Sequence, residues 1–187
     1  MNKYYELSVA GLKRNLPLCK VNDELYIGAF IMFSDVELTV KCAEEMLKIA
    51  PEHDIIITAE SKGIPLVHEM ARQSGNNDYI VARKGPKLYM QNIISTNVDS
   101  ITTAKTQTLC IGSKEEQLMK GKRVLIVDDV ISTGESLIAI ETLVNQVGGN
   151  IVGKMAVLAE GDAIKREDIK VLAHLPLFNP DGTILGK

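Results

Sequence analysis

Buried strands alternate with helices along most of this chain. Continuous aliphatic runs without a polar face are typical of central strands in a parallel sheet, and they predict strands at 54–58, 79–82, 124–127, 151–158 and 171–175. Apolar residues at steps of three and four predict helices at 35–50 and 135–147. A further helix is predicted from the turn that ends at Gly63 to about Arg72, and a short polar helix at 114–120. This alternation predicts a doubly wound α/β fold with a mainly parallel sheet flanked by helices.

The beginning of the chain is less regular. Residues 1–33 contain apolar side chains without a sustained period, and we expect them to form a strand and to cover the core. Their densest apolar patch holds Phe30 and Phe33. The first helix has a clear start signal, because Ser34 and Glu37 have the spacing of a capping box.

The strongest chemical signal follows the strand at 124–127. Two adjacent carboxylates come first, and then a loop of hydroxyl and glycine residues: Asp128 and Asp129, then Ser132, Thr133, Gly134, Glu135 and Ser136. Backbone N–H groups at a helix N-terminus bind phosphate, and a glycine lets the backbone approach the ligand. The carboxylates would repel a phosphate, so we expect both of them to lie at the exposed carboxyl end of the strand and to accept hydrogen bonds from ribose hydroxyls. The predicted ligand is a ribose 5-phosphate at the carboxyl end of a parallel strand, where open α/β sheets bind ligands.

Two further turns at strand ends can bind anions. Ser61, Lys62 and Gly63 follow the strand at 54–58 and precede a helix, which is the arrangement of a backbone anion cradle. By itself this signal is weak, because glycine between a strand and a helix is common. Arg83, Lys84 and Lys87 follow the strand at 79–82 and can neutralise a diphosphate, although a solvated basic turn explains them equally well.

Residues 88–107 are polar and lack a helical period. Such a stretch inside a compact domain is usually a lid or a binding loop. We therefore predict a flexible lid here that becomes ordered when ligand binds, since ordering it costs conformational entropy.

Composition narrows the class of protein. The 187 residues suit one domain, 1–187, with a core at 34–180. A net charge of −3 gives no electrostatic case for a nucleic-acid partner. No apolar run approaches the length of a membrane span. Three scattered cysteines predict reduced thiols and a cytoplasmic location, and the three histidines have no metal-ligand spacing.

The stretch from 124 to 136 resembles the phosphoribosyl-diphosphate signature of type I phosphoribosyltransferases. In both, a hydrophobic strand leads into two acids and a loop with a small residue, Thr, Gly, any residue, and Ser or Thr. The resemblance covers about residues 30–180 and is strongest in the purine branch, the adenine and xanthine enzymes. A receiver-type acidic pocket is a weaker alternative, because it does not call for the hydroxyl and glycine loop.

The resemblance implies transfer of a phosphoribosyl group to a purine base, with adenine favoured, and release of pyrophosphate. Asp128 and Asp129 would be catalytic, and Ser132, Thr133, Gly134, Glu135 and Ser136 would bind the 5-phosphate. Pyrophosphate would contact Ser61, Lys62, Gly63, Arg83, Lys84 and Lys87. Base contacts would come from Phe30, Phe33, Val130 and Glu160. The resemblance also implies an N-terminal hood at 1–33, a lid at 88–107, a Mg²⁺ ion carried by the diphosphate, and a homodimer.

The base itself stays open at this point. Adenine enzymes commonly carry a glutamate in the lid, where this chain has Ser100-Ile101-Thr102-Thr103. The lysine that xanthine enzymes place after a late glutamate is replaced here by Gly161. Xanthine or hypoxanthine/guanine activity is therefore an alternative. A second alternative is a regulator that binds phosphoribosyl diphosphate without turning it over, although the chain shows no added helical module and no basic face for DNA.

Overall fold

This computed structural model describes residues 3–99 and 106–186. Within them the strands are β1 (Tyr4–Val9), β2 (Leu12–Lys20), β3 (Tyr26–Gly28), β4 (Ile55–Ala59), β5 (Ile80–Ala82), β6 (Ile94–Asp99), β7 (Thr106–Ile111), β8 (Arg123–Ile131), β9 (Asn150–Glu160), β10 (Lys170–Leu175) and β11 (Leu177–Phe178). The helices are α1 (Val36–Ile49), α2 (Ile64–Gln73), α3 (Ser113–Met119) and α4 (Glu135–Gln146), with a 3-10 turn at Gly161–Lys165.

The central sheet has the order β10-β9-β8-β4-β5, and all of its neighbouring strands are parallel. The predicted doubly wound α/β fold is therefore confirmed. Chain order reverses between β4 and β8, because β5 lies outside β4 while β9 and β10 lie beyond β8. Open α/β sheets bind ligands at such a switch point, beside the carboxyl ends of the strands. The loops after β4 and β8 meet there.

Helices cover both faces of this sheet, as continuous apolar strands require. Side chains of β8 alternate between two core clusters: Val124 and Ile126 pack with α3 and α4, whereas Leu125 and Val127 pack with α1 and α2. No helix of the described residues is long and apolar enough to cross a membrane.

Helix α1 begins one residue later than the capping-box pattern predicts. Its N-cap is Asp35, whose Oδ1 accepts a hydrogen bond from the Leu38 N–H at 3.0 Å. Ser34 has a φ of 66°. Arg14 holds Asp35 in place, with Nε 2.7 Å from Oδ2, and this ion pair lowers the pKa of the Asp35 carboxyl. Arg14 lies in the hood, so the signal that selects Asp35 is tertiary and the Ser34 prediction was wrong.

The hood is a four-stranded sheet in the order β1-β2-β3-β11. Its first hairpin turns at Ala10 and Gly11, whose φ values of 52° and 74° fit a two-residue turn with the twist of antiparallel strands. Strand β11 joins the sheet by pairing with β3. The predicted hood at 1–33 lacks this strand, which comes from the far end of the chain.

The predicted lid contains an antiparallel hairpin. Strands β6 and β7 pair from Ile94↔Ile111 to Asp99↔Thr106, and both contact α4. Residues 100–105 of the predicted lid lie outside the described part of the chain. Mobility of the segment and its closure over a ligand stay predictions.

Candidate active site

The acid pair lies inside strand β8 and not beyond it. Val130 and Ile131 continue the strand by pairing with Leu158 and Ala159 of β9. As a result Asp129 is only 4 % exposed, and the prediction that both acids sit at an exposed strand end is wrong. The pairing with β9 explains the burial of Asp129, because β9 supplies hydrogen-bond partners that let β8 continue past the acids.

The loop after β4 closes over these acids. Ser61 Oγ donates a hydrogen bond to Asp128 Oδ1 at 3.1 Å, and the Gly63 N–H donates to Ser61 Oγ at 3.2 Å. Lys62 Nζ lies 3.5 Å from Asp129 Oδ2 and donates to the Phe30 carbonyl oxygen at 3.0 Å. Two predicted groups, the acid pair and the 61–63 loop, are therefore one cluster at the switch point.

The electrostatics of the pair suit a ligand with hydroxyl donors. Burial, and then the neighbouring charge of Asp129, raise the pKa of Asp128 to about 7. Asp129 Oδ2 is buried and accepts no hydrogen bond from the residues that the structure describes. The nearby Thr58 Oγ1 is likewise buried and has no hydrogen-bond partner among these residues. Lys62 forms an ion pair with Asp129 but stands beyond hydrogen-bond range. Buried polar oxygens of this kind are satisfied by donors, and ribose hydroxyls are donors.

The loop after β8 has the geometry of an anion cradle at the start of α4. Gly134 is the N-cap, with a left-handed φ of 83° that glycine adopts without strain. Ser132 and Thr133 are exposed, whereas Gly134 is buried. An added Cβ at Gly134 would overlap Nη1 of Arg166. The N–H groups at the beginning of α4 and the exposed hydroxyls can together bind a phosphate.

The basic residues converge on a carboxylate that the sequence did not single out. Glu60 lies 3.4 Å from both Arg83 Nη1 and Lys87 Nζ, and it accepts the Lys84 N–H at 3.0 Å. These contacts, led by the Lys84 N–H, lower the pKa of Glu60. The Lys84 side chain is exposed. Glu60 holds two cations at the carboxyl end of β4, and its place directly after β4 was the available signal.

A cavity of about 450 Å³ lies between the hood and the loop after β8. Its apolar wall comes from hood residues and its polar side from the core: Val21, Leu25, Ile27 and Leu177, with Ser132, Thr133 and Glu160. Burial raises the pKa of Glu160, an effect that Lys62 partly offsets. The hood residues of this wall were missed, because only the tertiary fold brings the hood to the site.

The predicted base contacts separate into different environments. Phe30 is 2 % exposed and packs in the core, which does not favour stacking of its ring on a base, and its base contact stays a prediction. Phe33 is 51 % exposed and lies outside the described lining of the cavity. Val130 packs against the core beside Asp129. Only Glu160 of the four lines the cavity.

Gly63 is the tightest contact between the two loops. A Cβ there would lie 3.0 Å from Thr58 Oγ1, 3.1 Å from Asp128 Oδ1 and 3.2 Å from the Asp129 nitrogen. Gly63→Ala should therefore lower the free energy of unfolding by about 1–3 kcal/mol, because overpacking costs this much. Urea titrations measure the change. Gly85→Ala is the matched control, since a Cβ at Gly85 meets nothing within 4 Å. Equal unfolding midpoints for the two variants would contradict the packing of the loop on the acids.

Known proteins are similar to this chain in sequence and in fold. The profile of the phosphoribosyl transferase domain matches residues 37–175. The xanthine phosphoribosyltransferase of Bacillus cytotoxicus is 30% identical over 173 residues, which cover 87% of this chain and 86% of that enzyme. The adenine phosphoribosyltransferase of Bifidobacterium longum (strain DJO10A) is 34% identical over 119 residues, 63% of this chain, and the match spans only 58% of that enzyme's length.

The fold is also found among solved structures. The crystal structure of adenine phosphoribosyltransferase from Thermoanaerobacter pseudethanolicus superposes with a TM-score of 0.63 at 22% sequence identity, covering 76% of this chain and 84% of that one. The domain match includes β4, β8 and both loops of the switch point. The chain belongs to the phosphoribosyl transferase domain family.

Proposed function

We propose that this protein is a purine phosphoribosyltransferase. It transfers the phosphoribosyl group of phosphoribosyl diphosphate to a purine base and forms a nucleoside monophosphate and pyrophosphate. The observation that supports this best is the acid pair Asp128 and Asp129 at the switch point, where Asp129 is buried and the loop after β4 contacts both acids. The anion cradle at α4 follows the pair directly in the chain, and the cations beside Glu60 come from the segment after β5. One ligand with a phosphate at one end, hydroxyls in the middle and a diphosphate at the other end fits this order.

The reaction breaks the bond between ribose C1 and the pyrophosphate oxygen and forms a bond from C1 to a purine nitrogen, which loses its proton. Positive charge grows on the ribose while negative charge leaves with the pyrophosphate. Asp128 and Asp129 hold the ribose hydroxyls and face the growing positive charge. Lys62, Arg83, Lys84 and Lys87 stabilise the leaving group. The 132–136 loop anchors the 5-phosphate and so orients C1.

A Mg²⁺ ion fits the donor chemistry of this site. The described residues contain no group of three metal-ligating side chains, and Mg²⁺ usually binds through one or two carboxylates and substrate phosphates. Asp128 and Asp129 would supply these carboxylates on the ribose side. When bound, the ion neutralises charge on the diphosphate.

Adenine is the base that we propose, and the cavity supports this choice. Its wall of Val21, Leu25, Ile27 and Leu177 suits a flat ring. The Glu160 carboxylate accepts hydrogen bonds, so it suits an exocyclic amino group and disfavours the anionic form of xanthine. Xanthine is the second candidate, because the relative that is 30% identical over most of the chain is a xanthine enzyme.

The protein is further proposed to act as a homodimer in the cytoplasm. The resemblance to the purine branch supports the dimer. The cytoplasmic location is supported by three free thiols, Cys19, Cys42 and Cys110.

A purine panel tests the proposed function. Phosphoribosyl diphosphate, Mg²⁺ and adenine, hypoxanthine, guanine or xanthine are mixed with the protein, and released pyrophosphate is measured. We expect the highest kcat/KM with adenine. Glu160→Gln should lower the preference for adenine over hypoxanthine by roughly tenfold, the effect of one hydrogen bond to a charged group. Asp162→Asn is the control, because Asp162 lines the same cavity with its side chain 90% exposed.

Other results of the purine panel would support the alternative functions. Highest turnover with xanthine would overturn the role of Glu160 and leave the transferase intact. Binding of phosphoribosyl diphosphate without pyrophosphate release from any base would identify a regulator and overturn the enzyme.

A further inference from the structure

Arg166 places a cation beside the phosphate cradle. It follows the 3-10 turn Gly161–Lys165, and its side chain is 29% exposed. Its Nε donates to Asp168 Oδ1 at 3.0 Å, and its Nη2 donates to Asp168 Oδ2 at 2.8 Å. This two-point contact fixes the plane of the guanidinium group. The remaining nitrogen, Nη1, lies against Gly134, where an added Cβ would overlap it.

A second ion pair holds Asp168, the residue that binds the Arg166 side chain. Lys154 Nζ donates to Asp168 Oδ2 at 2.6 Å and to Glu141 Oε1 at 3.1 Å. Glu141 belongs to α4, the helix that Gly134 caps, so β9, α4 and the segment after the turn are tied together. Asp168 is held from two sides, and Arg166 is thereby oriented towards the cradle. Within the described residues, Nη1 makes no hydrogen bond.

We propose that Arg166 is a phosphate-binding residue of the 132–136 loop, and this rests on the function proposed above. Nη1 donates to an oxygen of the phosphate ester that the loop binds. Backbone N–H groups and hydroxyls of the loop supply dipoles only, whereas a phosphate monoester carries nearly two negative charges. Arg166 adds a full positive charge beside this dianion, which dipoles alone do not supply. The arrangement favours phosphorylated sugars over unphosphorylated ones.

A purely structural role for Arg166 makes a different prediction. If Arg166 only ties the 3-10 turn to α4, its removal would loosen the site as a whole. All ligands would then weaken together. A phosphate-binding role weakens only ligands that carry the 5-phosphate, because the pyrophosphate cations beside Glu60 are separate residues.

Calorimetry on the full chain separates the two roles. The dissociation constants of ribose 5-phosphate and of inorganic pyrophosphate with Mg²⁺ are measured for the parent and for Arg166→Gln. We expect the constant for ribose 5-phosphate to rise by roughly tenfold to hundredfold, as for a lost hydrogen bond to a charged group, and that for pyrophosphate to stay unchanged. Lys165→Gln is the control with the same change of charge, since Lys165 is 74% exposed and pairs with Asp162.

Arg166→Lys keeps the proposal testable if Arg166→Gln fails to fold. A single ammonium cannot hold Asp168 at two points and also reach the cradle, so ribose 5-phosphate alone should weaken. Parent-like affinity for ribose 5-phosphate in the folded variants, or equal weakening of both ligands, would overturn the role of Arg166 and leave the transferase standing. A parent protein that binds no ribose 5-phosphate would overturn both proposals.

Discussion

Replacing Asp128 and Asp129 together by asparagine should lower turnover with phosphoribosyl diphosphate and a purine by at least about a thousandfold. Loss of a single preorganised charge-stabilising group from an active site lowers kcat by roughly a hundredfold to a thousandfold. This change removes two carboxylates from the proposed ribose site. The measurement is pyrophosphate release under saturating substrate. Asp78→Asn, at the opposite end of the sheet from the acid pair, should keep the parent rate.

Replacing Asp128 alone by asparagine should not weaken folding, and this separates chemistry from structure. Because Asp128 has its pKa raised from 3.8 to about 7, the folded state binds more protons than the unfolded state between these pH values. The free energy of unfolding of the parent therefore falls as the pH rises through this window. Asp128→Asn removes that penalty, so the single variant should be as stable as the parent near pH 4 and more stable at pH 7.5.

Urea unfolding at several pH values checks whether the free energy of unfolding of the parent falls as the pH rises. A parent whose stability rises with pH across this window relative to Asp128→Asn would contradict the buried, electrostatically coupled pair. Parent-like turnover of the double variant would remove the ribose assignment altogether.

Gly134→Ala should be the most damaging change in the proposed 5-phosphate loop. A left-handed backbone costs a residue with a Cβ about 1–2 kcal/mol, and the new Cβ would also displace the Arg166 guanidinium. We expect a loss of stability of at least that size and a fall in kcat/KM of at least about a hundredfold, since cradle and cation both move.

Gly148→Ala is the matched control at the other end of α4. Gly148 has a φ of 74°, close to the 83° of Gly134, but a Cβ there meets nothing within 4 Å. It should lose similar backbone stability in urea titrations and retain parent kcat/KM. Equal losses of activity in the two variants would show that α4 stability, and not the cradle, determines the effect.

Local pattern was enough to predict the fold and the identity of the main loops. Strands buried on both faces are continuous apolar runs, so β4, β8 and β9 stand out without any partner information. The acids and the cradle follow β8 directly in the chain, and Ser61 to Gly63 follow β4. Because carboxyl ends of parallel strands share one edge of the sheet, these groups had to lie near one another.

Contacts between distant segments depended on the tertiary structure. The convergence of Arg83 and Lys87 on Glu60 requires β4 and β5 to be neighbours, and periodicity does not reveal strand order. Burial of Phe30 depends on how the hood packs on α1 and α2, and the same apolar patch is compatible with a core or a binding surface. From the sequence, Phe30 is compatible with a base contact or with a core position. Its packing in the tertiary structure places it in the core.

The sequence by itself determined which residues carry charge, hydroxyls and backbone freedom, and that they follow strands. Three-dimensional packing decided their chemical state. Asp128 has a raised pKa because β9 extends β8 past the acids and the 61–63 loop covers them. The cavity wall joins Val21 to Leu177, and the cation over Gly134 comes from Arg166. Burial and proximity depend on contacts between segments far apart in the chain, so a local sequence pattern does not reveal them.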